Sequence, residues 1–142
     1  MSAPWMEQVV PATFDNDIIP FWEGLKRHEF LLHRCRRCGK HYWPMTLCPH
    51  HHDVMLEDME WLPTTGRGKV FSWGVVHRVG NPLFKDEVPY ALVLVELDEG
   101  PIFPTRLAGR SPPDLRVGMP VEVAYVDVPG TAMTLPLFKP LR

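Results

Sequence analysis

Apolar residues near the amino terminus recur at three- and four-residue spacing, a pattern typical of one short amphipathic helix. The apolar face of the predicted helix and the residue leading into it comprise Phe14, Ile18, Phe21, Trp22 and Leu25. Asp17 is its predicted N-cap, and Pro20 suits the first turn, where backbone N–H groups lack intrahelical partners. The dozen residues at the start show no periodicity and predict an extended arm. We interpret the aromatic face as a core contact, with a docking surface for another subunit as the alternative.

Shorter apolar patterns follow the helix. "FLLHRC" and "HYWPM" predict two strands around a tight Cys-x2-Cys turn, and "DVMLEDMEWLPTTGRG", rich in acids and then in turn formers, reads as a linker. Beyond it, five stretches predict strands: "KVFSWGVVHRV", "YALVLVELDEG", "PIFPTRLAG", "VEVAYVDV" and "AMTLPLFKP". Gly74 is a candidate bulge in the first of these. Five short strands separated by turn signals favour a small closed or partly open barrel such as the OB fold.

Composition agrees with this mainly β prediction. The chain has 142 residues, which suits one ordinary domain or one compact domain with a small appendage. Its 16 prolines against 10 glycines favour turns and short elements over a helical bundle. The amino terminus lacks a basic region followed by an apolar one, and "YALVLV" is too short to cross a bilayer. We therefore expect a cytoplasmic protein without membrane association.

All three cysteines lie within fourteen residues, in the pattern Cys35-x2-Cys38, nine residues, Cys48-x2-His51. Each half places two ligands across a tight turn, and zinc binds four such ligands tetrahedrally. Gly39, directly after the first pair, suits the left-handed backbone that such a turn often requires. The spacing predicts a structural Zn²⁺ site formed by Cys35, Cys38, Cys48 and His51, with His50 and His52 as alternatives for the fourth ligand. Four protein ligands leave no open position for an activated water.

Charge is unevenly distributed. The formal net charge of -2 argues against general nucleic-acid binding. The stretch from Gly24 to His52, however, contains six lysine or arginine residues and a single acidic residue, Glu29. Arginine guanidinium groups match phosphate oxygens, so Arg34, Arg36, Arg37 and Lys40 are candidate contacts for ligand phosphate groups, against the simpler interpretation of a solvated surface.

No catalytic set is recognisable in the sequence. The cysteines belong to the predicted metal turns, no serine occupies a nucleophile-elbow pattern, and no glycine-rich phosphate loop occurs. Glu96, Asp98 and Glu99 in "ELDEG" are interpreted as a solvated acidic turn that ends a strand. We expect no catalytic residues, and therefore no catalysis by this chain alone.

Several motifs in fixed order resemble a known family: "PFWEGLKRHEFLLHRCRRCGKHYWP", "CPHH", "EWLPTTGRGKVFSW", "VPYALVLVELDEGP", "VGMPVEVAY" and "LPLFKP". They resemble the zinc-ribbon plus OB-fold proteins, long classed as a domain of unknown function, that accompany thiolase-like and acyl-CoA-processing enzymes. The family commonly has cysteine where this chain has His51. The resemblance implies a five-stranded OB-fold barrel behind a rubredoxin-like zinc ribbon, divided as 1–30 arm and helix, 31–56 ribbon and 57–142 barrel.

The resemblance also implies a function. Such proteins are accessory subunits of thiolase-superfamily acyltransferases or of related aldolases and hydratases that act on acyl-CoA. We expect a hetero-oligomer, with two copies of this chain on a catalytic dimer. A nucleic-acid-binding module is the alternative, although the stretch after Glu60 holds nine basic and eight acidic residues and so offers no dominant positive groove. A freestanding small-molecule carrier or sensor is a third hypothesis.

Overall fold

The structure is a computed structural model that describes residues 3–8, 16–44 and 47–141. Two short sheets and one α-helix make up the fold. The helix α1 spans Ile19–Lys26, and the strands are β1 Leu31–Cys35, β2 His41–Tyr42, β3 Met59–Pro63, β4 Arg67–Val76, β5 Tyr90–Leu97, β6 Ile102–Arg106, β7 Pro120–Asp127 and β8 Thr134–Pro140. None of the helices within these ranges is long and apolar enough to cross a bilayer.

The helix begins later than the sequence predicted. The chain enters it through a 3-10 helix at Asn16–Ile18, so Ile18 is the N-cap and makes no side-chain capping hydrogen bond. The prediction of Asp17 as N-cap was therefore wrong, whereas Pro20 does lie in the first turn. The arm was also predicted incorrectly in part, because Pro4–Gln8 forms a 3-10 helix. Phe14 lies outside the described residues.

The apolar face of α1 packs into the core, as the first interpretation held. Phe21 and Leu25 are completely buried, and Trp22 packs beside them. Phe21 contacts aromatic rings from both parts of the molecule, with ring centroids 5.8 Å from Phe30 and 6.2 Å from Phe103. The helix therefore fixes the position of the ribbon sheet relative to the barrel.

The first sheet has the strand order β2-β1-β3. The strand β3 comes from the stretch predicted to be a linker and pairs antiparallel with all five residues of β1, from Leu31 opposite Pro63 to Cys35 opposite Met59. The linker prediction was wrong here because acidic residues lowered the apparent strand signal. The acid within this strand, Glu60, lies opposite Arg34 and is also near Arg36, which makes a polar strand compatible with pairing.

The second sheet contains the five predicted strands in the order β6-β5-β4-β7-β8. Leu107, directly after β6, forms a parallel bridge with Phe138 on β8. This bridge joins the two edge strands of the sheet, so the barrel is nearly closed. Its interior is filled by Val70, Val93, Val95, Phe103, Val121 and Phe138. The mainly β fold class with a five-stranded OB-type barrel is confirmed.

The bulge in β4 does not lie at the predicted glycine. The pairing with β5 shifts between Val70 and Ser72, so Phe71 is the extra residue, while Gly74 pairs regularly with Leu92. A Cβ added at Gly74 would meet no atom within 4 Å, so neither crowding nor the bulge demands glycine there. Gly66, in the turn before β4, is different, because its φ of +68° favours glycine and an added Cβ would lie 2.7 Å from Val123 Cγ1.

Candidate metal centre

The four predicted ligands come together at the tip of the ribbon sheet. Cys35 ends β1, Cys38 follows in the turn before β2, and Cys48 and His51 come from the next turn. The ligand atoms of Cys35, Cys38, Cys48 and His51 all lie within 4.8 Å of one another. Gly39 has a φ of +78°, the left-handed conformation predicted for it, and its N–H donates to the Cys35 carbonyl at 2.8 Å.

The three consecutive histidines differ in their surroundings. His51 is half-buried and belongs to the cluster, whereas His50 and His52 are exposed. The Nε2 atom of His51 is buried without a hydrogen-bond partner, although a buried ring nitrogen is normally paired. A bound cation would remove that deficit at His51.

The chemistry of the donor set fits zinc. Three thiolates and one imidazole satisfy the tetrahedral preference of Zn²⁺, and together they leave no position for a reactive water. Cys35, Cys38, Cys48 and His51 would hold the ion, which would supply folding free energy to the ribbon and not a catalytic centre.

Tyr42 on β2 supports this donor set and was not identified from the sequence. Its hydroxyl lies 3.3 Å from Cys48 Sγ. Burial and this contact raise the pKa of Tyr42 above its usual value, so the hydroxyl stays protonated and can donate to the sulfur. Burial by itself would raise the pKa of the Cys48 thiol, but hydrogen bonds from Tyr42 and the His50 backbone help to hold it below its usual value. The thiolate, the form that binds metals, is thereby favoured.

The arginines of the ribbon lie opposite acids. Arg34 on β1 and Arg36 just after it approach the Glu60 carboxylate at 3.7 and 3.5 Å. Arg37 contacts Asp53 at 2.6 Å and Asp58 at 3.2 Å, and it holds the pKa of Asp53 below its usual value. The acids were missed as partners because their segment was predicted to be a linker. Lys40, the fourth predicted phosphate contact, is exposed.

The acidic "ELDEG" turn follows β5, where the sequence placed it. Thr65 donates to both of its later acids: the hydroxyl lies 3.4 Å from Asp98 Oδ2, and the backbone N–H lies 3.2 Å from Glu99 Oε2. These carboxylates therefore anchor the turn that enters the barrel. Glu96, on the preceding strand, is exposed.

The geometry defines a class of protein: a rubredoxin-like ribbon whose Cys3His cluster suits a structural metal, joined to an OB-fold barrel. Family models agree with both halves. Residues 22–50 match the ChsH2 rubredoxin-like zinc ribbon domain, and residues 61–126 match the ChsH2 C-terminal OB-fold domain. The chain belongs to the DUF35 family, to which it is related along most of its length.

Individual relatives show how far the likeness extends. A DUF35 domain-containing scaffold protein of Methanocaldococcus jannaschii is 30% identical over 78% of each chain. The structure titled "Ltp2-ChsH2(DUF35) aldolase" contains a chain with 32% identity and a TM-score of 0.77, matched over 92% of this chain and 98% of that one. A Sulfolobus solfataricus DUF35 structure at 13% identity and a TM-score of 0.50 shares the fold.

Two longer relatives carry enzyme names. A probable enoyl-CoA hydratase alpha subunit of Thermomonospora curvata is 34% identical over 84% of this chain. The 3-oxo-4,17-pregnadiene-20-carboxyl-CoA hydratase alpha subunit of Mycobacterium tuberculosis is 33% identical over 80% of it. This chain spans only 36% and 35% of those two proteins.

Proposed function

We propose that this chain is a non-catalytic accessory subunit of a heteromeric enzyme that acts on acyl-CoA thioesters. The observation that carries the proposal is its near end-to-end match, at 32% identity, to the DUF35 chain in an aldolase structure. The names of the curated relatives, which include hydratase alpha subunits and scaffold proteins, point in the same direction.

The catalytic partner in this proposal is a thiolase-superfamily subunit, an acyltransferase or a related aldolase. The barrel and the helix assist its assembly, and a dimer of the partner binds two copies of this chain. The Zn²⁺ bound by Cys35, Cys38, Cys48 and His51 keeps the ribbon folded in this assembly. Three clustered cysteines are typical of a metal site in a reducing compartment, which is why we place the complex in the cytoplasm.

Purification of the tagged chain from its native host at moderate salt tests the proposal. Mass spectrometry should identify a stoichiometric thiolase-superfamily protein in the same fractions, and an untagged host provides the control. Elution of the chain alone would contradict an accessory role. Co-elution with nucleic acid, and a salt-dependent shift with single-stranded oligonucleotides, would support the binding-module alternative.

The basic face of the ribbon extends the proposal to coenzyme A. In the complex, Arg34, Arg36, Arg37 and Lys40 contact CoA phosphates, for which arginine geometry is well suited. Three of these side chains are paired with Glu60, Asp53 or Asp58 in the unliganded chain, so a CoA phosphate would have to compete with those carboxylates for the guanidinium groups.

Charge reversal separates CoA contact from a purely structural role. The double variant Arg36→Glu, Arg37→Glu should raise the KM of the complex for acyl-CoA while co-purification persists. The matched control is Arg78→Glu, Arg110→Glu, which reverses two exposed arginines of the barrel half. An unchanged KM in the ribbon variant would end the CoA-phosphate assignment and leave the accessory role intact.

A further inference from the structure

An apolar cleft lies apart from the metal site, because none of its lining residues belongs to the small core that contains Cys35 and Cys48. It has a volume of about 660 Å³ and is lined by residues from six separate segments, represented by Trp5, Trp22, Trp43, Leu83, Phe103 and Leu135. Small-molecule sites typically measure about 300–1,000 Å³ and are mostly apolar with a few polar groups. The cleft has the size and character of such a site.

Arg106 is the charged residue in the cleft wall, and its charge is compensated. Its side chain is 14% exposed and lies 3.7 Å from the carboxylate of Glu87. The Cζ atom of its guanidinium lies over the Tyr90 ring, 4.1 Å from the ring centroid, and 5.7 Å from the centroid of the Trp5 ring. Because the Arg106–Glu87 pair has no net charge, a ligand carboxylate would meet attraction from one member and repulsion from the other. The wall therefore favours an uncharged molecule.

Two donors in the wall lack acceptors. The Nε1 atom of Trp22 and the Nε atom of Arg106 are buried and have no hydrogen-bond partner among the residues that the structure describes. Both groups are N–H donors, so a ligand that satisfies either of them must present an acceptor. Both nitrogens are covered in the unliganded chain, which means that a small shift of the side chain must accompany such a contact.

From these observations we infer that the cleft binds an uncharged, elongated apolar molecule that carries one carbonyl acceptor. The aromatic and leucine side chains contact the hydrocarbon, and the carbonyl oxygen accepts from Trp22 Nε1 or Arg106 Nε. This site is additional to the metal centre and to the arginines assigned to CoA phosphates, and it requires no partner subunit.

Binding to the purified, zinc-loaded full chain tests this inference. The probes are 2-decanone, which is neutral and carries one carbonyl, and decanoate, which has the same number of carbons and a negative charge. Isothermal titration calorimetry should show saturable one-site binding of 2-decanone, with decanoate at least about tenfold weaker because its charge is not compensated. Tryptophan fluorescence should change in parallel, since Trp5, Trp22 and Trp43 line the cleft.

A variant in which a larger side chain fills the cleft should not bind 2-decanone. Leu83→Trp places an indole into the wall and should abolish 2-decanone binding, whereas Val117→Trp adds the same group at an exposed position outside the cleft and should leave it unchanged. Absence of saturable binding in the wild type would overturn the inference. Equal binding of decanoate, or binding that survives Leu83→Trp, would do so as well.

Two further variants alter the polar groups around the cleft. Trp22→Phe removes one donor and should weaken 2-decanone binding by roughly two- to tenfold, the value of one neutral hydrogen bond. Glu87→Gln leaves Arg106 uncompensated and should strengthen decanoate binding relative to 2-decanone. If circular dichroism shows that Leu83→Trp does not fold, the test rests on Glu87→Gln. An unchanged ratio of decanoate to 2-decanone affinity in that variant would contradict the inference.

Discussion

At the scale of single residues, the Tyr42 hydroxyl makes a contact that can be removed without altering packing. It lies 3.3 Å from Cys48 Sγ, and Tyr42 packs against the small core of the ribbon tip. Groups that hydrogen-bond to metal ligands orient them and tune their basicity, and their loss typically lowers metal affinity by about 10–100-fold.

Tyr42→Phe should therefore lower zinc affinity by about tenfold or more while preserving the fold. Competition with a chromophoric chelator measures the change, and Tyr125→Phe, a partly buried tyrosine on β7, serves as the matched control. Equal zinc affinity in Tyr42→Phe and the wild type would show that the contact with Cys48 is unimportant.

Asp127 provides a second residue-scale prediction, concerning pH. Thr134 donates to its carboxylate at 2.7 Å, and His28 lies 3.1 Å away, so the pKa of Asp127 is held below its usual value. Because the folded-state pKa is depressed, the stabilisation is fully present above the unfolded pKa of about 3.9 and is lost as pH falls through the folded value.

Asp127→Asn should accordingly lower the melting temperature slightly at pH 6–7, and the difference from the wild type should shrink as pH falls below about 4. Thermal denaturation followed by circular dichroism at several pH values measures this. Glu57→Gln, a change at an exposed acid of the ribbon, is the control. A difference between wild type and Asp127→Asn that grows toward acid would contradict the assignment.

The four residues that cluster at the ribbon tip were predicted from the sequence, and their role as zinc ligands stays a prediction, whereas the contact of Tyr42 was not predicted. Spacing across two tight turns limits which side chains can meet, and this was enough to favour His51 over its neighbours. The Tyr42 hydroxyl reaches Cys48 because β2 pairs with β1 in a register that places His33 opposite Tyr42. No local sequence pattern encodes that register.

At the scale of elements, we expect the ribbon tip to need a bound metal in order to fold. Its buried core consists of Cys35, Cys48, Val54 and Met59, two of which are ligand residues. Too little apolar surface remains to stabilise the turns without a cation. The base of the same sheet is different, since Phe30 and Leu32 belong to the main core.

Cys35→Ser, or removal of zinc with a chelator, should therefore unfold the tip while the barrel persists. Hydrogen exchange should increase strongly in residues 35–59 and little in β4 to β8. Restoring zinc should reverse the effect in the wild type but not in Cys35→Ser. Simultaneous loss of protection in the ribbon and the barrel would contradict this separation.

Strand β3 shows where sequence interpretation was limited at this scale. Met59–Pro63 carries Glu60 between apolar residues and follows a run of acids, so its local signal is weak. Its pairing with β1 is stabilised by Arg34 and Arg36 opposite Glu60, contacts that become visible only when the strands are side by side. The barrel strands, with stronger alternation, were predicted correctly.

At the scale of the whole molecule, one aromatic cluster connects the helix, the ribbon and the barrel. Phe103 on β6 belongs to it, with ring centroids 4.5 Å from Trp43, 5.1 Å from Phe30 and 5.9 Å from Phe138. The division into residues 1–30, 31–56 and 57–142 stays a prediction, but the parts share this core.

Phe103→Ala should destabilise the chain by about 3–5 kcal/mol, as expected for truncation of a buried phenylalanine. Denaturant unfolding measures the loss, and Phe71→Ala, at a position 53% exposed, should cost far less. Similar free energies of unfolding for the two variants would show that Phe103 is not central to the core.

The accessory role is most directly tested by the activity of the co-purified catalytic chain. Its acyl-CoA turnover should be measured alone, with this chain, and with the Cys35→Ser variant. We predict that kcat/KM for acyl-CoA rises when the wild-type chain is added and rises much less with the variant. A catalytic chain that turns over acyl-CoA equally well in all three conditions would contradict the account.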